Sequence, residues 1–240
     1  MAAECGKAVS KETKIDLLVT PFVTVFVGVA LSLAIAPPIG KAAISLGNII
    51  MLATELQPFI MGIVVSVLVG IALTLPISSA AICAALGLTG LAGGAAVAGC
   101  CAQMVGFAVI SYRENGVGGL VSQGIGTSML QLSNIVKNPR IWIAPILTSA
   151  ITGPISTCFF ALKMNGAAVS SGMGTCGFVG QLGVYSGWVN DLEEGTKEAI
   201  TSFDWLGLIM ISFILPAIIC PIINMVLRRI GWVKDGDLKI

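Results

Sequence analysis

No histidine occurs among the 240 residues, and charged residues make up only 10% of the chain. Histidine is the commonest acid-base and metal-binding side chain, so its absence removes the first candidates for catalysis and for metal binding. No long apolar run contains a pair of acidic residues that could act together. We therefore predict that the protein is not an enzyme on its own and uses no cofactor or metal.

Two further function classes are excluded by what the sequence lacks. The formal net charge is only +1, so no basic surface indicates nucleic-acid binding. The seven cysteines include no CxxC pair, and most lie within apolar stretches. Cysteines in such surroundings behave as small hydrophobic residues, which makes zinc or redox chemistry an unfavoured interpretation.

Long apolar runs are what the chain does contain. Hydrophobic residues make up 56% of the sequence, with a mean hydropathy of +0.97. A helix needs about 20 apolar residues to cross a bilayer, and five runs meet that length: residues 15–36, 58–75, 90–112, 141–162 and 205–227. We predict an all-α, polytopic integral membrane protein in which residues 1–240 form a single membrane domain. About 6–8 membrane-embedded helical segments are expected.

The distribution of basic residues predicts the orientation of the chain. Lys7, Lys11 and Lys14 precede the first apolar run, and Arg228 and Arg229 follow the last one. Positive residues favour the cytoplasmic side, so both termini are predicted to be cytoplasmic and the number of crossings even. With five clear spans, an additional crossing is needed: either residues 166–188 or a broken helix around 77–88. Residues 40–55 are of mixed polarity and favour an interfacial helix.

Two glycine-rich stretches, residues 115–137 and 163–188, are polar but carry few charges. Non-helical backbone is tolerated at membrane depth only where it is buried in protein or lines a water-filled cavity. Glycine permits the tight turns of such a segment. These stretches are therefore predicted to form re-entrant or broken helices that line a solute path.

The polar side chains of the two stretches are the candidate substrate-binding residues. They are amides and hydroxyls, which suit a small, neutral, sugar-like solute better than an ion: Gln123, Thr127, Asn165, Ser170, Thr175, Gln181 and Tyr185. The alternative interpretation is that the glycines serve close helix packing and the amides satisfy one another. Gln103 and Asn224, each inside an apolar run, are candidates for hydrogen bonds between helices.

Internal similarity suggests a duplication of residues 58–128 as residues 139–186. GAAV occurs at 94–97 and at 166–169, and GLVSQGIGTS from Gly119 is echoed by GFVGQLGVYS from Gly177. Repeats with interrupted helices in matching positions are typical of transporters that bind their substrate near the midplane of the membrane. Chance similarity in a low-diversity apolar chain is the alternative explanation.

Three motifs carry a family resemblance: NPRIWIAP at 138–145, TGPI at 152–155 and GMGTCGFVGQ at 172–181. Together they resemble the bacterial phosphotransferase-system enzyme IIC-like membrane family, which includes toxin regulators of the perfringolysin-regulator type. The resemblance implies a permease of the bacterial inner membrane that works with separate phosphorylating IIA and IIB proteins.

The resulting hypothesis is a membrane permease for a small neutral polar solute. We expect it to be a homo-oligomer embedded in the lipid bilayer. The alternative hypothesis is a membrane-embedded sensor or regulator that binds a ligand without transporting it.

Overall fold

A computed structural model of the protein describes residues 25–30 and 57–240. Residues 25–30 are helical. The rest of the predicted span 15–36, and the whole of the predicted interfacial helix 40–55, lie outside the described residues. Residues 57–240 contain helices and no named strand, so the prediction of an all-α fold is confirmed for the described part.

The first helix of this part, α1, runs Pro58–Thr74 and agrees with the predicted run 58–75. Its proline occupies the first turn, where the missing N–H has no intrahelical partner to lose. Leu75 is extended because Pro76 follows it, and that ends the helix. A short helix, α2 (Ser79–Ala85), comes next, with the Ser78 hydroxyl accepting a backbone N–H of its first turn.

The longest regular helix, α3, runs Gly90–Ile110 and is followed after one residue by α4, Tyr112–Val121. The run predicted for residues 90–112 therefore ends two residues earlier, at Ile110, and Tyr112 already belongs to the next helix. Within α4 the backbone is non-helical at Gly116, where φ is +60°. Glycine adopts this left-handed conformation without steric cost.

The glycine-rich stretch 115–137 is a broken helix. After α4 come a π-helix (Ser122–Gly126), a 3-10 helix (Ser128–Gln131) and α5 (Leu132–Lys137). Thr127 separates the first two, and its extended backbone lets its hydroxyl accept the N–H of Met129 at 3.1 Å.

The next apolar helix spans Pro139–Phe159 in three parts. A 3-10 turn (Pro139–Trp142) leads into α6 (Ile143–Pro154), and a π-helix (Ile155–Phe159) ends it. Pro154 has no N–H to donate, and the backbone widens directly after it, which is a usual cause of a helix distortion. Pro145 falls in the first turn of α6, where proline is tolerated.

The stretch 163–188 is broken as well. It contains the single turn α7 (Ala168–Ser171), a 3-10 turn (Cys176–Phe178) and most of α8 (Val179–Glu193). No single helix covers residues 166–188, so the additional crossing predicted there remains a prediction. The two GAAV segments also differ in structure, one lying inside α3 and the other entering α7, and the internal repeat likewise remains a prediction.

The last helical run consists of α9 (Ser202–Ile209), a π-helix (Met210–Ile214) and α10 (Leu215–Arg229). A capping box begins it: the Thr201 hydroxyl accepts the N–H of Asp204, and the Asp204 carboxylate accepts the N–H of Thr201. Two arginines occupy the last turn, where positive charge complements the helix dipole.

Three helices of the described part are long and apolar enough to cross a membrane: Gly90–Ile110, Pro139–Phe159 and Ser202–Arg229. They contact the rest of the protein to different extents. The most apolar 18 residues of the first helix are 94% buried inside the bundle, whereas those of the last helix are 33% buried. The bundle therefore has α3 at its centre and the run 202–229 on its outside.

Small residues allow α1, α3 and α6 to pack closely. The position where a Cβ on Gly99 would lie is 1.9 Å from the carbonyl oxygen of Ser66, and the corresponding position on Gly153 is 2.1 Å from that of Gly62. Only hydrogen fits at either place. This is the small-residue packing typical of membrane helices.

Gln103 links two of these helices and the turn before α6. Its Oε1 accepts the indole N–H of Trp142 at 2.9 Å and the Thr74 hydroxyl at 3.3 Å, while its Nε2 donates to Ser149 Oγ at 3.4 Å. The prediction that Gln103 forms hydrogen bonds between helices is thus confirmed.

Candidate functional site

The turn before α8 has an unusual backbone. Gly174, Gly177 and Phe178 all have positive φ, at +53°, +53° and +59°. For Phe178 this conformation costs of the order of 1–3 kcal/mol, and such strained residues cluster at binding sites. Phe178 is 43% exposed, and its ring lies at a tilt of 50° to that of Phe213 with the centroids 6.2 Å apart.

Thr175 connects the two glycine-rich stretches. Its buried hydroxyl donates to the carbonyl oxygen of Gly124 at 2.6 Å, and it also lies 3.5 Å from the sulfur of Met104. The π-helix of the first stretch therefore packs directly against the strained turn of the second. The stretches that the sequence pairs as similar are also neighbours in space.

Gln181, in the first turn of α8, is buried and only partly satisfied. Its Nε2 donates to Ser212 Oγ at 2.9 Å and lies 3.3 Å from the sulfur of Cys101. Its Oε1 is buried and accepts no hydrogen bond in the described part of the chain. A buried acceptor without a donor costs about 1–3 kcal/mol, so this atom is a candidate contact for a ligand hydroxyl.

A cavity of about 310 Å³ lies against Gln181. Its remaining walls are apolar or aromatic: Phe178, Leu182, Tyr185, Trp205 and Leu208. The ring centroids of Tyr185 and Trp205 are 5.7 Å apart. Pockets of roughly this size, mostly apolar with a few placed polar atoms, are typical of small-molecule sites.

A second, more polar cavity of about 260 Å³ lies near the other end of α8. Its wall includes Trp188, Asp191 and Lys197. Asp191 accepts both hydrogen bonds of the Asn165 amide nitrogen, at 2.9 and 3.0 Å. The ammonium of Lys197 pairs with Asp204 at 2.7 Å and lies 5.3 Å from the centroid of Trp188.

The walls of the two cavities touch through an aromatic contact. Trp188, in the wall of the polar cavity, meets Trp205, in the wall of the apolar one, edge to face with centroids 5.4 Å apart. Aromatic faces bind the apolar faces of ring-shaped solutes while a neighbouring acceptor binds their hydroxyls. The arrangement can therefore recognise a neutral molecule that has both apolar and hydroxyl-bearing surfaces.

A family comparison is consistent with these features. The family model described as "Phosphotransferase system, EIIC" matches residues 1–240. The chain belongs to this EIIC family. A search of curated proteins and a search of solved structures each found no match. EIIC proteins are membrane transport components of the phosphotransferase system and are not catalytic enzymes alone.

Membership of the EIIC family confirms the resemblance predicted from the three motifs. Together with the apolar helices, it makes this chain a protein of the bacterial inner membrane and a phosphotransferase-type transport component. The orientation of the termini, the solute and the oligomeric state remain predictions.

The structure does not bring the seven predicted site residues of this EIIC chain together in one place. Gln181 and Tyr185 line one cavity, and Asn165 binds a wall residue of the other. Thr175 holds the two stretches together and Thr127 caps a turn. Ser170 is buried where α7 meets α8. A Cβ placed on Gly183 would lie 2.4 Å from the Cβ of Ser170.

Gln123, the counterpart of Gln181 in the sequence echo, is fully satisfied. Its Nε2 donates to Ser111 Oγ at 2.7 Å and to the carbonyl of Gly119 at 3.1 Å, and its Oε1 accepts from Gln131 at 2.9 Å. The alternative interpretation, in which amides satisfy one another, therefore describes Gln123. It does not describe Gln181.

Apart from Tyr185, sequence reasoning missed the acidic and aromatic residues of the two cavities. The acidic segment 191–204 is predicted to be solvated, and Glu193, Glu194 and Glu198 are exposed as expected. Asp191 and Asp204 are instead half-buried beside Lys197 and Trp188. The signal available in the sequence was the closeness of tryptophans to these acids, at Trp188 and Trp205.

Proposed function

We propose that this chain is the membrane permease of a phosphotransferase system for a small, neutral, sugar-like solute, which binds in the cavity beside Gln181. The observation that carries the proposal is that Gln181, whose buried Oε1 accepts no hydrogen bond in the described part of the chain, lines an otherwise apolar and aromatic cavity. A solute hydroxyl would supply the missing donor, and the rings of Tyr185 and Trp205 would contact the apolar face of the solute.

The polar cavity is the proposed entrance to this site. Asp191 and Lys197 offer hydrogen bonds to a hydrated solute, and the Trp188–Trp205 contact leads from there to Gln181. The solute would first replace its water molecules with hydrogen bonds to polar groups in this cavity, and would then contact the aromatic rings of the cavity beside Gln181. Separate IIA and IIB proteins would couple uptake to phosphorylation, as the family membership implies.

Gln181→Met tests the binding site. Methionine keeps the size and shape of the side chain but cannot accept the solute hydrogen bond, so we expect about 3- to 10-fold weaker binding, the value of one neutral hydrogen bond. Binding is measured on the detergent-purified protein by thermal shift and calorimetry with a panel of neutral sugars and polyols. Asn190→Ala, which removes an exposed amide from the same helix, is the matched control and should bind normally.

Uptake into proteoliposomes distinguishes transport from sensing. A permease lets the bound solute equilibrate across the vesicle membrane, and adding the phosphorylating partner proteins together with a phosphoryl donor converts the solute to its phosphate ester. Binding without uptake under either condition would contradict the permease proposal and favour the membrane sensor. Equal binding by Gln181→Met and the unmodified protein would show that the site lies elsewhere.

A further inference from the structure

A third cavity, of about 160 Å³, lies where the end of α3 meets α10. Val109 and Met225 contribute to its apolar wall, and its polar wall consists of Arg113, Asn224 and Arg228. None of these residues lines either of the two cavities near α8. The cavity is thus a separate feature, and a ligand bound in it is independent of the proposed solute site.

Asn224 lines this cavity and has an unsatisfied polar atom. The residue is only 5% exposed, and its Oδ1 is buried without a hydrogen-bond donor in the described part of the chain. Within that part, Gln181 Oε1 is the other buried side-chain oxygen or nitrogen in this condition. The interhelical hydrogen bond that the sequence suggests for Asn224 is therefore not formed through Oδ1. A carbonyl oxygen only accepts, so the missing partner is a hydroxyl or an N–H group.

One of the two cations that line the cavity is unpaired within the described part of the chain. Arg228 pairs with Glu114 at 2.8 Å and also with Asp235. Arg113 is exposed and forms no ion pair with any described residue. Its guanidinium is therefore available to an anion, and guanidinium groups bind phosphate oxygens well.

The position of the cavity is that of a membrane interface. It lies one turn from Arg229, at the end of the apolar run 202–229, and the half-exposed Tyr112 begins α4 beside it. Tyrosines and arginines are enriched at this depth. On the same helix Ile222 and Met225 are 52% and 54% exposed, which is the apolar surface that acyl chains contact.

The size of the cavity suits part of a molecule. Sites that enclose a drug-sized ligand measure roughly 300–1,000 Å³, and this one is smaller. A ligand that places only its polar end here, and keeps its apolar remainder outside along α10, fits both the volume and the exposed apolar surface. Basic pockets between membrane helices hold lipid headgroups in this way.

We infer that this cavity binds the headgroup of an anionic phospholipid that carries free hydroxyls, such as phosphatidylglycerol. The phosphodiester contacts the guanidinium of Arg113, and a headgroup hydroxyl donates to Oδ1 of Asn224. The headgroup needs both its phosphodiester and its hydroxyl. A phosphodiester alone leaves Asn224 without a donor, and a neutral hydroxyl compound leaves Arg113 without an anion.

Native mass spectrometry of the full chain tests the inference. The protein is reconstituted in phosphatidylcholine vesicles containing phosphatidylglycerol with the same acyl chains, and the lipids it retains on release into detergent are counted. We expect retention of phosphatidylglycerol over phosphatidylcholine, reduced several-fold by Arg113→Gln and by Asn224→Leu. Thermal melting of both variants checks folding, which Asn224→Leu should leave intact because the Oδ1 that it removes has no partner.

Arg229→Gln is the matched control, because it removes the same charge from the same end of the protein but does not line the cavity. An equal loss of phosphatidylglycerol in Arg229→Gln would show diffuse attraction and overturn the inference. Equal retention of the two lipids would do so as well. A parallel titration with inorganic phosphate separates the sources of the anion: displacement of the lipid by phosphate alone would identify a site for free anions and contradict a lipid site.

Discussion

Single atoms decide how closely the helices of this protein approach. At Gly99 the nearest atom to an added Cβ is the carbonyl oxygen of Ser66, at 1.9 Å, and the two atoms next to it are also backbone. Backbone cannot rotate out of the way as a long side chain can. The position therefore requires glycine for reasons of space, with no contribution from a special φ.

Gly99→Ala should destabilise the protein by at least about 2–3 kcal/mol, because α1 and α3 must separate to admit the methyl group. The loss is measured as a lowered thermal midpoint in detergent. Gly118→Ala is the matched control: no atom lies within 4 Å of its added Cβ, and its effect should be neutral or slightly stabilising. Similar losses at both positions would contradict the close packing described for Gly99.

At the scale of elements, the distinguishing feature is the contact between two broken segments. The strained turn 174–178 and the π-helix Ser122–Gly126 are joined by the hydrogen bond from Thr175 to Gly124. Neither segment is a regular helix, and the backbone carbonyl of Gly124 receives a hydrogen-bond donor from the other segment. The position of Phe178, and with it one wall of the Gln181 cavity, depends on this joint.

Thr175→Val removes the hydroxyl and keeps the shape, leaving the buried carbonyl of Gly124 without that donor. We expect a loss of about 1–3 kcal/mol in the free energy of unfolding, together with weaker solute binding because the turn is released. Thr175→Ser retains the hydroxyl and should remain close to the unmodified protein in both measurements. If valine and serine behave alike, the hydrogen bond does not hold the turn.

The elements that the sequence predicted well are those bounded by local chemistry. Pro58 and Pro76 bound α1, and Arg228 and Arg229 end α10, as proline and charge patterns indicate. The π-helices were not predicted, since a change from i+4 to i+5 hydrogen bonding depends on tertiary packing and leaves no periodic signal. Tertiary packing also explains why Gln123 and Gln181 occupy equivalent places in the two similar sequences but differ in the fold, where only Gln123 has both ends of its amide hydrogen-bonded.

At the scale of the whole molecule, residues far apart in sequence hold the segment after α10 in place. The Glu114 carboxylate accepts the N–H of Leu238 at 2.8 Å while pairing with Arg228. The amide of Asn115 donates to the Leu238 carbonyl at 2.7 Å and accepts the N–H of Ile240 at 2.9 Å. Asn115, which begins a stretch predicted to line a solute path, and Glu114 before it therefore hold the segment after α10 against the bundle.

Glu114→Gln should loosen this segment. Glutamine has a single acceptor oxygen, so one of the two charge-assisted bonds is lost and the other becomes neutral. A local loss of about 1.5–3 kcal/mol corresponds to about 10- to 150-fold faster amide exchange at Leu238 and Ile240. Hydrogen exchange read by mass spectrometry measures the change. Glu194→Gln, an exposed carboxylate on the loop after α8, should leave the exchange of the segment unchanged. Unaltered protection in Glu114→Gln would show that the amides of Asn115 and Gln131 are enough to hold the segment after α10 in place.

The near-complete burial of α3 also has a consequence during synthesis. Its packing partners α6 and α10 follow it in the chain, and the last residue of the Pro139–Phe159 helix is made 49 residues after Ile110. At about 5–20 residues per second this interval lasts roughly 2–10 s. Throughout that time α3 lacks both of these partners, so its mean hydropathy of 1.7 must keep it in the bilayer until the bundle encloses it. A polar substitution on α3 would thus act first on insertion, before any folded contact exists to be lost.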